Sequence, residues 1–118
     1  MVITKRADFL AANKGRRQPM PGFVLLLRDR ADADPTKRIG YTVTKKIGGA
    51  VVRNRMKRRL RALARELLPT LGTPGADHVL IGRAGGIERD FSLLRAEMEK
   101  ALRKLSKQAA VAPQAHGT

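Results

Sequence analysis

A chain of 118 residues, 42% of them hydrophobic, has length for one domain with a modest core and too much apolar content to stay unfolded. Lys and Arg number 25 against 10 Asp and Glu, a formal net charge of +15, and self-repulsion on that scale calls for a polyanionic partner: nucleic acid first, an anionic membrane surface second. The absence of cysteine excludes disulfides and thiolate metal sites.

The N-terminus, MVITKRADFL, has no apolar run of signal-peptide length. No stretch approaches the roughly 20 apolar residues of a spanning helix, so a cytoplasmic protein is expected. Residues 7–13 read as a short helix stopped by Gly15. Arg16 and Arg17 follow, and Pro19, Pro21 and Gly22 mark a loop. Phe23 to Leu27 is a continuous apolar run, consistent with a buried strand. A polar turn over 29–37 carries Asp29, Asp32 and Asp34. Arg38 to Thr44 alternates as a strand, with Ile39, Tyr41 and Val43 on one face and Gly40, Thr42 and Thr44 on the other.

Gly48-Gly49 breaks the chain, and Ala50 to Leu68 follows without Gly or Pro, predicting a helix that ends at Pro69. Val79 to Ile81 reads as a short strand. Ser92 to Lys107 reads as a second long helix, with Leu93, Leu94, Met98, Ala101, Leu102 and Leu105 on one face. Residues 1–107 are expected to form the domain and 108–118 a disordered tail. The order α-β-β-α-β-α predicts an α/β (α+β) fold, a two-layer sandwich of helices on a small mixed sheet.

The cations are not evenly spread. Between Asp34 and Glu66 there is no acid, but there are Lys37, Arg38, Lys45, Lys46, Arg53, Arg55, Lys57, Arg58, Arg59, Arg61 and Arg65. At about 100° per residue, Val52, Met56, Leu60, Leu63 and Leu67 form a narrow stripe that faces a core. Arg53, Lys57, Arg61 and Arg65 form an i, i+4 row beside it, and Arg55, Arg58 and Arg59 cover the rest. Like charges at that spacing oppose the helix by roughly 0.2–0.5 kcal/mol each. A solvated face normally mixes signs, and a single-signed, arginine-rich one fits a phosphate chain. Lys45 and Lys46 precede the helix N-terminus, where free N–H groups favour an anion. Asn54, with donor and acceptor atoms, can read a base or a ribose hydroxyl. A membrane-surface helix would need a broader, bulkier apolar face.

Side chains for bond-breaking chemistry are missing. His78 and His116 are far apart in sequence, and no spacing suggests paired carboxylates or a His/carboxylate metal site. No catalytic residue and no protein metal site is therefore expected.

The stretch RIGYTVTKKIGGAVVRNRMKRRLR, residues 38–61, resembles the protein subunit of bacterial ribonuclease P, with Arg53-Asn54-Arg55, Lys57-Arg58 and Arg61 as the signature helix. The likeness reaches upstream to Ala7-Asp8-Phe9 and Gly22-Phe23-Val24-Leu25, and downstream through Asp77-His78-Val79-Leu80-Ile81, covering about residues 3–106. It implies a domain like the second domain of ribosomal protein S5, with a left-handed crossover around the arginine helix, although about 98% of crossovers have the other hand. It implies a catalytic RNA partner that removes the 5′ leader of precursor tRNA, one protein per RNA, with Mg²⁺ held mainly by the RNA. Lys45, Lys46, Arg53, Asn54, Arg55, Lys57, Arg58, Arg61 and Arg65 would then bind RNA. Phe9, Arg16, Arg17, Phe23 and Val24 would line the leader cleft. Asn13 and Leu26 stand where some relatives carry aromatics, which shifts leader grip towards Phe9 and backbone charge. The competing reading is another basic RNA- or DNA-binding protein of ribosomal type, without a processing role.

Overall fold

The computed structural model describes the backbone of residues 1–116 and the side chains of residues 1–106. Its elements are α1 (Arg6–Ala12), β1 (Arg16–Pro19), β2 (Phe23–Asp29), β3 (Arg38–Thr42), a 3-10 turn at Lys45–Ile47, α2 (Ala50–Leu71), β4 (Ala76–Gly82) and α3 (Phe91–His116). The strands form one sheet in the order β1-β2-β4-β3. The β1–β2 and β2–β4 pairs are antiparallel, while β3 and β4 are parallel neighbours joined through α2. The mixed sheet with helices predicted from sequence is thus present, with one strand more than expected.

That additional strand is β1. Its sequence, RRQP, has no apolar alternation to announce it, because it lies at the sheet edge with alternating half-buried and exposed residues. An edge strand needs little apolar content and accommodates a terminal proline. Arg16 pairs with Leu27 and Arg17 with Leu26, so the two arginines lie on opposite faces.

Two apolar layers hold the sheet. On one face Phe23, Leu25, Leu27, Ile39 and Leu80 meet Met56, Leu60, Leu63 and Leu67 of α2 and Leu94, Met98, Leu102 and Leu105 of α3. Each fully buried Leu or Met contributes roughly 1.5–3 kcal/mol. On the other face Val24, Leu26 and Val79 meet Ala12 of α1 and Ile3, with Phe9 packed against them. The period of two in β2 assigns alternate residues to the two layers. Both faces are covered, which is why the strand reads as a continuous apolar run.

The stripe on α2 lies where predicted, except that Val52 is half-buried beside Gly48 and Ala64 joins the core. The helix does not stop at Pro69 but runs to Leu71 with the proline inside it. Lys37 Nζ donates to the carbonyls of Leu68 (3.3 Å) and Pro69 (2.6 Å), which satisfies carbonyls of the last turn. Helix α3 begins at Phe91, after Asp90 Oδ1 accepts a bond from the Ser92 N–H at 3.0 Å, so Asp90 is the cap that the sequence pattern obscured. Leu93, predicted on the core face of α3, is instead exposed. The backbone of α3 is helical past Lys107, to His116. The expectation for the tail falls on residues 108–118, whose side chains lie outside the described ones.

Candidate nucleic-acid interface

The outer face of α2 is built by subtraction. Packing consumes Met56, Leu60, Leu63, Ala64, Leu67 and Leu68, and what remains outward is Asn54, Arg55, Arg58, Arg61 and Arg65, all exposed. Arg53 and Lys57 are half-buried beside the core stripe. Lys45 and Lys46 are exposed in the 3-10 turn before the helix. The nine residues assigned to RNA from sequence thus lie in the turn and along α2, seven of them exposed and Arg53 and Lys57 half-buried. Among the described residues, the only ion pair made by a cation of α2 is Arg55 Nη2 with Glu88 Oε2 at 3.2 Å. The ridge is thus almost free of internal neutralisation.

Not every cation of the acid-free interval belongs to this surface. Arg38 turns inward and binds Asp77 through both nitrogens of its fork, and Lys37 closes the end of α2. Arg59 lies over the Phe91 ring, 5.7 Å from its centroid, and donates to the Arg89 carbonyl. These three are structural, a division the sequence could not make because their partners come from distant elements.

A second feature lies on the opposite face of the sheet. A groove of about 260 Å³ separates α1 from the sheet, lined by Arg6, Phe9, Leu10, Asn13, Thr42, Val79 and Ile81. Gly40 lets Phe9 sit there, since a Cβ at Gly40 would fall 2.7 Å from Phe9 Cε1. Asp8 ties α1 down, 3.3 Å from Arg38 Nη2 and 4.0 Å from Arg28 Nη1.

The sequence-assigned cleft set needs correction here. Phe9 lines the groove, and Val24 lies almost buried in the layer beneath it. Phe23 is 0% exposed in the other core layer, because adjacent strand residues point to opposite faces. It cannot line the cleft. Arg17 shares the α1 face, opposite Leu26, whereas Arg16 pairs with Leu27 and lies on the opposite face. Leu26 itself is buried, so only Asn13 of the two departed aromatic positions opens on the groove. Thr42, Val79 and Ile81 were missed as lining residues. Their signal was the alternation that put Gly40 and Thr42 on the face away from Tyr41.

No acid–base pair is poised at either surface. His78 is fully buried beside Asp77, and burial pushes its imidazole down to about 4. Its Nε2 accepts from the Thr73 N–H and its Nδ1 bonds the Arg38 carbonyl, both at 3.0 Å, so it is a neutral structural residue. Among the described residues, no group of three His, Asp or Glu is placed to hold a metal ion. No described helix is long and apolar enough to cross a membrane.

The sequence and the fold have counterparts among known proteins. The family model for ribonuclease P matches residues 1–106. The chain belongs to the ribonuclease P protein family. It is 62% identical over 103 residues to the ribonuclease P protein component of Erythrobacter litoralis, covering 87% of this chain and 84% of that one. With the same component from Gluconacetobacter diazotrophicus it shares 50% over 103 residues, covering 86% and 88%. Among solved structures, the ribonuclease P protein of Thermotoga maritima superposes with a TM-score of 0.74 at 28% identity, covering 88% of this chain and 96% of that one. The Staphylococcus aureus protein superposes with a TM-score of 0.67 at 27% identity, covering 92% and 94%. As a ribonuclease P protein component, the chain is a subunit of the ribonucleoprotein endoribonuclease that processes tRNA 5′ ends, and the ribonuclease P RNA is its partner. The alternative of a ribosomal-type protein without a processing role is set aside.

Proposed function

We propose that this ribonuclease P protein holds the catalytic RNA along α2 and the single-stranded 5′ leader of precursor tRNA in the α1 groove. The observation that carries the first half is the exposed cation ridge with a single carboxylate partner among the described residues. Phosphates laid along the ridge relieve like-charge repulsion that the protein itself does not relieve. For the second half, an aromatic beside an apolar floor, with Arg6 in the lining, suits stacked bases with a charged backbone.

The two surfaces lie on opposite faces of the sheet, and the segment carrying Lys45 and Lys46 connects them, running from Thr42 at the groove to Ala50 at the start of α2. One domain with one ridge supports a stoichiometry of one protein per RNA, acting in the cytoplasm. Mg²⁺, held mainly by the RNA, would supply the activated water for phosphodiester hydrolysis. Among the described residues no group forms a ligand set for it, and the contribution proposed for this chain is binding and positioning.

Reconstitution with the catalytic RNA at limiting Mg²⁺, scored by leader removal from precursor tRNA, tests the reading. The protein should raise the rate on precursor bearing a leader. Equal affinity for duplex DNA and for the catalytic RNA, with no stimulation of cleavage, would overturn it.

A further inference from the structure

We propose that the groove between β3 and α2, floored by Ile39, Tyr41, Ala64 and Leu68, takes one unpaired base of the partner RNA, stacked on Tyr41 with its phosphates against Arg61 and Arg65. This rests on the RNA-binding reading of α2 and extends it from charge to base contact. The groove encloses about 590 Å³, within the range that takes small organic groups. It lies on the sheet face away from Phe9, so it is separate from the leader groove.

The aromatic inventory singles out Tyr41. The chain has three Phe and one Tyr. Phe23 is fully buried, Phe91 lies outside this groove, and Phe9 serves the other groove. Tyr41 opens into this groove, with the Arg61 guanidinium 6.0 Å from its ring centroid. The Arg61 guanidinium lies over the Tyr41 ring, so a base entering the groove meets a ring and a guanidinium plane, both surfaces on which unpaired RNA bases stack.

Charge selects the occupant. The lining carries Lys37, Arg61 and Arg65 and no acid. Lys37 is engaged by the end of α2, and among the described residues neither Arg61 nor Arg65 has a carboxylate partner. An apolar segment or a second copy of this basic chain would leave both cations unmatched. A nucleotide fills the floor with its base and meets the rim with its phosphates. The Tyr41 phenol is held above its ordinary pKa chiefly by burial, so it stays a neutral platform at physiological pH.

The test uses the only tyrosine in a chain without tryptophan. Full-length protein carrying Phe9→Ala, which removes the ring that lines the α1 groove, is titrated with single-stranded octa-adenylate and with an abasic octamer of equal charge. Saturable quenching of tyrosine emission by octa-adenylate, but not by the abasic strand, is expected. The abasic strand should bind roughly 5- to 100-fold more weakly. Tyr41→Leu should bind octa-adenylate as weakly as the unsubstituted groove binds the abasic strand, and Tyr41→Phe should restore affinity. Equal affinity for both strands with unchanged emission would overturn the base site while leaving phosphate binding by α2 standing. Loss of affinity for both strands would remove the RNA-binding reading as well. Quenching that instead follows protein concentration, with dimers in sedimentation, would assign the groove to a second copy and overturn the proposal.

Discussion

The buried carboxylate of Asp77 is gripped by both arms of the Arg38 fork, Nε to Oδ1 and Nη2 to Oδ2, each at 2.6 Å. Arg30 Nη1 adds a third bond at 2.9 Å, and Arg28 stands 3.6 Å away. Burial alone would push the Asp77 carboxyl up, but the bonds from Arg38 and Arg30 outweigh it and hold the group below its usual range. Since Arg38 also reaches Asp8, the cluster pins β2, β3, β4 and α1 together at one point. Asp77→Asn removes the buried carboxylate and leaves Arg38 with Asp8 and Arg30 with Asp32 as their remaining partners; breaking a buried pair typically costs about 3–5 kcal/mol. Urea denaturation should show that loss in the midpoint, and a change below 1 kcal/mol would mean that solvent reaches the cluster.

His78, next in sequence, gives the fold a pH dependence. Its imidazole is pushed down to about 4 in the folded chain, chiefly by burial, against an ordinary value near 6.5 in the unfolded chain. Between those values the unfolded state binds more protons. Stability is therefore full above about pH 6.5 and falls as pH drops towards 4. The geometry agrees, because a protonated Nε2 would point a donor at the Thr73 N–H. Acidification from about pH 7.5 to pH 5 should remove on the order of 2 kcal/mol. His78→Gln should start less stable and lose distinctly less over that interval, and parallel profiles for the two proteins would reject the assignment.

How much of this was legible in the sequence depends on where each residue's partner lies. The α2 core stripe and its cation row follow from helical period alone, because helix neighbours are close in sequence. The face of Ile39, Tyr41 and Val43 follows from the period of two. Edge strand β1 was not legible, because an edge needs no apolar pattern. The inward turn of Arg38 depends on Asp77, 39 residues away, and nothing local separates it from Arg55. The same alternation that revealed β3 should have excluded Phe23 from the cleft. A continuous apolar strand hides which residue faces which layer until the layers are known.

The distinction between bound and free cations on α2 is measurable. Arg58 is exposed and, among the described residues, forms no ion pair, whereas Arg59 packs on Phe91 and bonds the Arg89 carbonyl. Arg58→Ala should weaken RNA binding, flatten the plot of log affinity against log salt by roughly 0.7–0.9, and leave the melting temperature unchanged. Arg59→Ala should destabilise the fold by about 1–2 kcal/mol through a lost hydrogen bond and cation–π contact. Indistinguishable stability and salt slopes for the two variants would contradict the division.

Glu88 is the acid that competes with phosphate on the ridge. Its pair with Arg55 is exposed, with 47% of the Arg55 side chain and 77% of the Glu88 side chain accessible. Such pairs contribute little, between about 0 and 1 kcal/mol, so the fold does not depend on it. Removing the charge frees Arg55 and deletes a repulsion with the incoming backbone. Glu88→Gln should leave stability within about 0.5 kcal/mol and tighten RNA binding by a factor of about 2–5 at low salt. The gain should fade at high ionic strength. Weaker binding would show that Glu88 holds Arg55 in its productive position instead.

In the proposed reading, leader grip converges on one contact, the Phe9 ring against Gly40. Because Phe23 and Leu26 are buried, and Asn13 supplies no ring, Phe9 is the aromatic that the groove offers a base. Phe9→Ala should reduce the affinity difference between precursor tRNA and mature tRNA by the roughly 1–3 kcal/mol of a stacked base. Gly40→Ala reaches the same ring from beneath, since the new Cβ would lie 2.7 Å from Cε1 and 2.9 Å from Cζ and must displace it. Both variants should therefore lose leader discrimination while keeping affinity for the catalytic RNA, which the proposed α2 ridge would hold from the other face. Direct binding of the two tRNA forms to the reconstituted enzyme decides the matter. Unchanged discrimination in both variants would move leader recognition away from the α1 groove and onto the backbone charges around it.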